Sequence, residues 1–193
     1  MIGVIVEGHG EVSAVPVLIR RVAAGVPDCY CPLIKIHRIP KSKLLKLGEL
    51  ERSLEVLSRQ LGNGRPILVL LDADGSCPVD LAGELSRRCG VSHPHLAVSV
   101  VVAHHEFENW FIAAIESLSG SNGLVQPLLS PPEPENIANA KEWISGHMAV
   151  NRSYSETRHQ ASFSAGIQLG LARRCRSFRK FEKEVIRLLN SLS

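Results

Sequence analysis

Pro66-Ile67-Leu68-Val69-Leu70-Leu71-Asp72-Ala73-Asp74-Gly75 carries an unbroken apolar run, Ile67 to Leu71, followed at once by two carboxylates and a glycine. A run this short cannot make a lone amphipathic helix; it suits a strand buried on both faces in the middle of a parallel sheet. In an extended chain the i, i+2 spacing of Asp72 and Asp74 puts both side chains on one side of the strand end. Like charges held together cost free energy unless a cation sits between them, so a magnesium-type receptor is one reading. Asp-x-Asp-Gly as ordinary turn chemistry is the other. The N-terminus repeats the form, with Met1-Ile2-Gly3-Val4-Ile5-Val6 running into Glu7-Gly8-His9-Gly10-Glu11. Ligands of open α/β sheets bind beyond the carboxyl ends of the strands, so two acid-tipped strands would point into one crevice.

Around these two strands the pattern alternates. A helix is predicted from Glu11 to about Ala24, a strand over Leu33–Ile39, a helix from about Gly48 to Leu61 ended by Gly62-Asn63-Gly64, a helix over Val79–Cys89 and a strand over Ala97–Val102. The order β-α-β-α-β-α-β without hairpin signals argues a four-stranded parallel sheet with helices on both faces. With strand order 2-1-3-4, Glu7 would lie beside the aspartates, because neighbouring strands are ~5 Å apart. The basic segment Lys41-Ser42-Lys43-Leu44-Leu45-Lys46 is read first as a solvated connection and second as a phosphate-contacting arm.

The fourth strand leads into His104-His105-Glu106-Phe107-Glu108-Asn109-Trp110-Phe111. A helix from about Phe107 to Ser117 would bury Phe107, Trp110, Phe111 and Ala114. Glu106 and Glu108 border the same crevice, and Glu108 is the stronger candidate to enter it; acids favoured by a helix start are the competing account. Residues 119–135 are rich in Ser, Gly and Pro and mark the end of an α/β domain, 1–118. The remainder, 119–193, reads as a loop and a helical C-terminal extension packed on that domain. It holds a short helix over Asn139–His147, a polar stretch from Asn151 to Phe163, a helix from Ser164 to Arg174, and a last helix after Ser177 with Phe178, Phe181, Val185, Leu188 and Leu189 as its buried stripe. Arg173, Arg174, Arg176, Arg179 and Lys180 make this tail basic, which suits either a solvated face or a phosphate grip.

Composition sets the outer bounds. At 193 residues and 45% hydrophobic content the chain is long enough for one well-filled domain. No apolar run approaches the ~20 residues of a membrane span, and the first residues lack the basic leader of a signal peptide, so a cytoplasmic protein is expected. The five cysteines show no paired zinc spacing. A net charge of +3 tolerates nucleic acid without demanding it.

Glu7-Gly8-x-Gly10-Glu11, Leu71-Asp72-Ala73-Asp74-Gly75 and Glu106-Phe107-Glu108-x-Trp110-Phe111 stand in order. They are followed by Ala140-Lys141-Glu142-Trp143-Ile144, Tyr154-Ser155-Glu156-Thr157 and Ser177-Phe178-Arg179-Lys180-Phe181. In this succession the chain resembles a Toprim-like family, most specifically the bacterial domain-of-unknown-function family numbered four-two-seven-six. Toprim domains are the catalytic cores of topoisomerases, primases and the overcoming-lysogenization type of nuclease. The resemblance implies a three-layer, Rossmann-like fold on a four-stranded parallel sheet. It also implies that Glu7 is a general acid/base or metal ligand, that Asp72 and Asp74 are magnesium ligands, and that Glu11 matches a second acid of the nuclease-type relatives. Glu106 or Glu108 would complete a second metal site, and Lys141, Arg158 or Arg179 would neutralise charge in the transition state.

The expected function is Mg2+- or Mn2+-dependent phosphodiester chemistry on DNA or RNA, most simply nuclease cleavage. The alternative is a non-catalytic partner of an ATPase in a defence-type system. Phosphotransfer on a small nucleotide and a homodimeric assembly stay open at this level.

Overall fold

The strand that opened the sequence reading is β3, Ile67–Asp72, and every one of its residues is buried. In this computed structural model, which describes residues 1–27, 29, 31–62 and 64–192, β3 lies between β1 (Ile2–Val6) and β4 (Val98–Ala103), and β2 (Ile34–Arg38) flanks β1. All pairings are parallel and the order is β2-β1-β3-β4. Asp28 and Tyr30 in the 25–32 loop, Asn63 of the expected helix-ending Gly62-Asn63-Gly64, and Ser193 lie outside the described residues.

Alternation along β1, β3 and β4 divides the apolar residues between two cores. Ile5, Ile67, Val69, Leu71, Val100 and Val102 face α3 (Glu49–Leu61) and α4 (Pro78–Ser92). Val4, Val6, Leu68, Leu70, Val101 and Ala103 face the larger core. There α1 (Glu11–Ala23) packs with α7 (Glu156–Gly166) and α9 (Arg176–Asn190). The C-terminal segment therefore shares the sheet's own core. Trp110 is fully buried against Phe107, Phe178 and Phe181, and its indole N–H donates to Ser177 Oγ at 2.8 Å. Between the two parts, 119–139 is irregular, tied down by a bridge between Leu124 and Met148 and by a 3-10 turn at Pro134–Asn136.

Element boundaries differ from the expected ones in two places that matter for the site. The expected helix over 107–117 is a short α5, Asn109–Ala113, followed by a 3-10 turn at Ile115–Leu118, so Glu106 precedes any helical turn. The polar stretch 151–163 contains most of α7, and the expected helix over 164–174 is only the short α8, Leu169–Ala172. Helix α7 gives little apolar periodicity because it buries Gln160 and Ser164 beside Phe163. The two remaining short helices are α2 (Lys41–Leu44) and α6 (Ala140–Gly146). Among the described residues, no helix is long and apolar enough to cross a membrane.

Candidate metal centre

Strand β1 ends at Val6, and with Ile5 in register with Val69 this is two residues before β3 ends. The N–H of Asp72 faces the β1 side of the ladder, where the main chain has already turned away, and Glu7 Oε1 accepts it at 2.5 Å. A side chain thus replaces a missing backbone acceptor, which fixes the Glu7 carboxylate against the tip of β3. Glu11, the first residue of α1, reaches back so that Oε2 accepts from the N–H groups of Glu7 and Gly8, both at 3.2 Å. Asp72 Oδ1 accepts from the N–H of Phe107 at 2.7 Å. One oxygen from each of Glu7, Glu11 and Asp72 lies within 4.8 Å of the others, and these residues could hold a metal ion.

Behind this trio stands a second set. Glu108 is completely buried, and its Oε1 accepts from Tyr154 Oη at 3.0 Å and from Gln160 Nε2 at 2.9 Å. Glu108 Oε2 makes no hydrogen bond of good geometry but lies 3.3 Å from Lys141 Nζ. Lys141 also approaches Glu106 at 3.2 Å and Glu156 at 3.4 Å, so one ammonium is shared by three carboxylates. Helix α7 reaches this position because residue 10 is glycine. A Cβ there would run into Gln160 Oε1 and would meet the backbone oxygen of Glu156 at 2.7 Å. Gly10→Ala is expected to lower stability by about 2 kcal/mol, since backbone cannot move aside as a side-chain tip can. Urea unfolding of the pair measures it, and an unchanged midpoint would contradict this account of the α1–α7 contact.

The electrostatics follow from burial. Glu11 is pushed up to about 8, by burial first and then by the Glu7 charge. Asp72 is held well above the carboxylate range by burial, with Glu11, Glu108 and Glu7 adding to it. Burial raises Glu7 as well, partly offset by the Asp72 N–H and Lys41, and raises Glu108 against the opposing pull of Lys141. Burial alone would lower Lys141, but Glu108, Asp72 and Glu106 together carry it above its ordinary value. The pattern is a pocket with an excess of buried negative charge that one ammonium does not balance.

The other predicted positions are distributed as follows. Asp74 has left the extended conformation, with φ of 51°, so the i, i+2 alternation no longer governs it. Its Oδ2 meets Lys41 Nζ at 2.6 Å, and the same ammonium donates to the backbone carbonyl of Asp72 at 2.6 Å. Lys41, first read as part of a solvated connection, is therefore a clamp on the β3 tip. Glu106 joins Lys141 and not the trio. Arg179 donates to the backbone carbonyls of Arg173 and Arg174. Sequence patterning does not point to Tyr154 and Gln160; their one signal is a tyrosine and a glutamine within the polar stretch 151–163.

All the oxygens offered by the trio are carboxylate oxygens, the donor type of hard divalent cations. Oxygens within 4.8 Å of one another are near enough to close on one such cation, whose octahedral magnesium shell is roughly 4.2 Å across. A site at the carboxyl ends of β1 and β3 also lies where the strand order reverses, the usual ligand position in open α/β sheets. Neither the curated proteins nor the solved structures give a match to the chain. The family described as "Domain of unknown function (DUF4276)" matches residues 6–186, nearly the whole length, and the chain belongs to that family.

Proposed function

We propose that this chain is a Toprim-type enzyme that uses Mg2+ or Mn2+ for phosphodiester cleavage of nucleic acid, acting in the cytoplasm. The observation that carries the reading is the convergence of Glu7, Glu11 and Asp72 at the β1/β3 strand ends, with oxygens within 4.8 Å of one another. These three residues would hold the cation, which when bound supplies charge neutralisation at the scissile phosphate and acidifies a water molecule. The chain's own groups do the rest. Lys141, one-third exposed at its side chain, points a lasting positive charge toward the phosphate. Tyr154 and Gln160 hold Glu108 in place behind it, where burial raises its proton affinity above that of a free carboxylate and suits it to proton exchange. At the mouth, Lys41 and the Arg38–His9 pair, 2.6 Å apart, offer donors to flanking phosphates.

The test is incubation of single-stranded DNA, duplex DNA and RNA with the protein in Mg2+, in Mn2+ and in EDTA. At least one polymer is expected to be cut with either cation and none in EDTA. Glu7→Gln, which keeps the acceptor for the Asp72 N–H, is expected to cut it at least ~100-fold more slowly. Equal rates for Glu7→Gln and wild type, or no cleavage of any polymer, would remove the reading.

A further inference from the structure

A groove of about 630 Å³ runs along the outer side of β4, away from the acidic trio. Its floor is the sheet edge at Val100 and Val102. One wall is the face of α4 made by Val79, Ala82, Gly83 and Ser86, at helical spacing i, i+3, i+4, i+7. Arg176, Ser177 and Lys180 of α9 form the other.

The backbone directions along β4 follow from its pairing. Ile67 N–H donates to the carbonyl of Ala97, and Ala73 N–H to that of Ala103, so alternate residues 97, 99, 101 and 103 turn their polar groups toward β3. Val98, Val100 and Val102 turn theirs outward. The Val98 carbonyl is met by Arg187 Nη2 at 3.2 Å, which closes the lower end of the edge. Above it, among the described residues, no strand pairs with the outer side of β4. The free valences of Val100 and Val102 therefore line a groove whose α4 wall is small or apolar, whose α9 wall carries Arg176 and Lys180, and whose upper end is made by His104, Glu135 and Asn136.

We infer that this edge takes up an extended peptide segment of a partner protein, which adds a strand beside β4. Main-chain groups of the peptide meet those of Val100 and Val102, and alternate small or β-branched side chains lie against Ala82 and Gly83. From residue 100 to the end of β4 at residue 103 the edge is ~10 Å long, enough for about four residues of strand. Lys180 is already paired with Glu184 at 2.6 Å, and the Glu135 carboxylate at the groove end accepts from the N–H groups of Arg176 and Ser177; the Arg176 side chain makes no ion pair among the described residues, and it selects a peptide carrying Asp or Glu. The recess favours a single strand over a second copy of this chain. Edge-to-edge pairing of two copies would drive the α4 and α9 walls of each into those of the other. This binding surface is independent of the reaction proposed at the strand ends.

The probe is a random dodecapeptide library displayed on phage, panned on the full chain and counter-panned on Gly83→Phe. A Cβ at Gly83 meets nothing within 4 Å, so the phenylalanine enters the groove without disturbing the helix. Enriched peptides are expected to alternate β-branched residues and to carry an acid. They should bind wild type at least about tenfold more tightly than Gly83→Phe. Synthetic versions N-methylated at alternate residues are expected to lose binding, an arm that does not depend on any variant folding. No enrichment, equal binding to both proteins, or undiminished binding of the N-methylated peptides would overturn the inference. So would a wild-type dimer in light scattering that Gly83→Phe dissociates, which would give the edge to a second copy.

Discussion

Asp72→Asn is expected to make the cation-free protein more stable while ending its response to Mg2+. The side chain is fully enclosed, and burial together with Glu11, Glu108 and Glu7 disfavours its charge. Asparagine has the same shape, so Oδ1 still accepts the Phe107 N–H, now 2.7 Å from the aspartate oxygen. What disappears is the cost of a carboxylate that must either hold a proton or face its neighbours. In EDTA at pH 7 the gain is expected to be about 2 kcal/mol, and for a chain of this size that is roughly 4–8 °C in Tm. Added Mg2+ should then raise the wild-type Tm, by mass action on the folded state, and leave the variant where it was. Cleavage by the variant should fall by ~1,000-fold or more, because one ligand and one charge are gone. Thermal scans with and without Mg2+ measure the first part. An asparagine variant less stable than wild type in EDTA would mean that the aspartate is held as a well-satisfied ion, and the receptor argument would fail with it.

The second large effect is on pH. Glu11 binds its proton up to about pH 8 in the folded chain and only to its ordinary value of 4.5 when unfolded. Between these values the folded state holds more protons than the unfolded one, so stability falls as pH rises through that window. The loss from this residue alone is on the order of 5 kcal/mol in the absence of a cation. Asp72 acts in the same direction. At the acid end the sign reverses through other groups. Glu184 is lowered to about 2: burial opposes this, but hydrogen bonds from Lys180, Ser99 and Arg187 outweigh it, so its stabilisation is lost as pH drops below 4.5. A maximum near pH 5 is therefore expected in EDTA, with a steep decline toward pH 8. Mg2+ should flatten that decline, and so should Glu11→Gln, which keeps the acceptor for the Glu7 and Gly8 N–H groups. Urea midpoints measured across pH 5–8 decide it; a flat or rising wild-type curve in EDTA would contradict the burial of an unbalanced charge.

The sheet was legible in the sequence because it rests on side-chain patterns: apolar runs of strand length, helical stripes between them, and acids where two runs stop. The strand order 2-1-3-4 entered as a condition that the fold meets, and the nearness of Glu7 to Asp72 followed from it. Asp74 went elsewhere because two residues beyond the strand the backbone turned left-handed, and alternation has no force there. Helix α7 was blurred because it buries Gln160 and Ser164, and a helix that buries polar side chains loses the stripe by which helices are recognised. Glu11 carried little signal beyond its place after two glycines. Its reach back to Glu7 and Gly8 is a matter of turn geometry. The groove on β4 was invisible for a different reason: it is made of backbone valences, which no residue type announces.

One rung of the ladder between β1 and β3 is closed by the Glu7 carboxylate in place of a peptide carbonyl. Position 7 consequently answers to two masters, the fold and whatever occupies the receptor. A descendant that abandoned the chemistry would not be at liberty to drift there toward alanine or serine, since that would leave the amide of Asp72 without an acceptor in the middle of the sheet. Glutamine is the substitution such a lineage would find open, and its presence at this position would be the mark of a copy that kept the architecture after giving up the reaction.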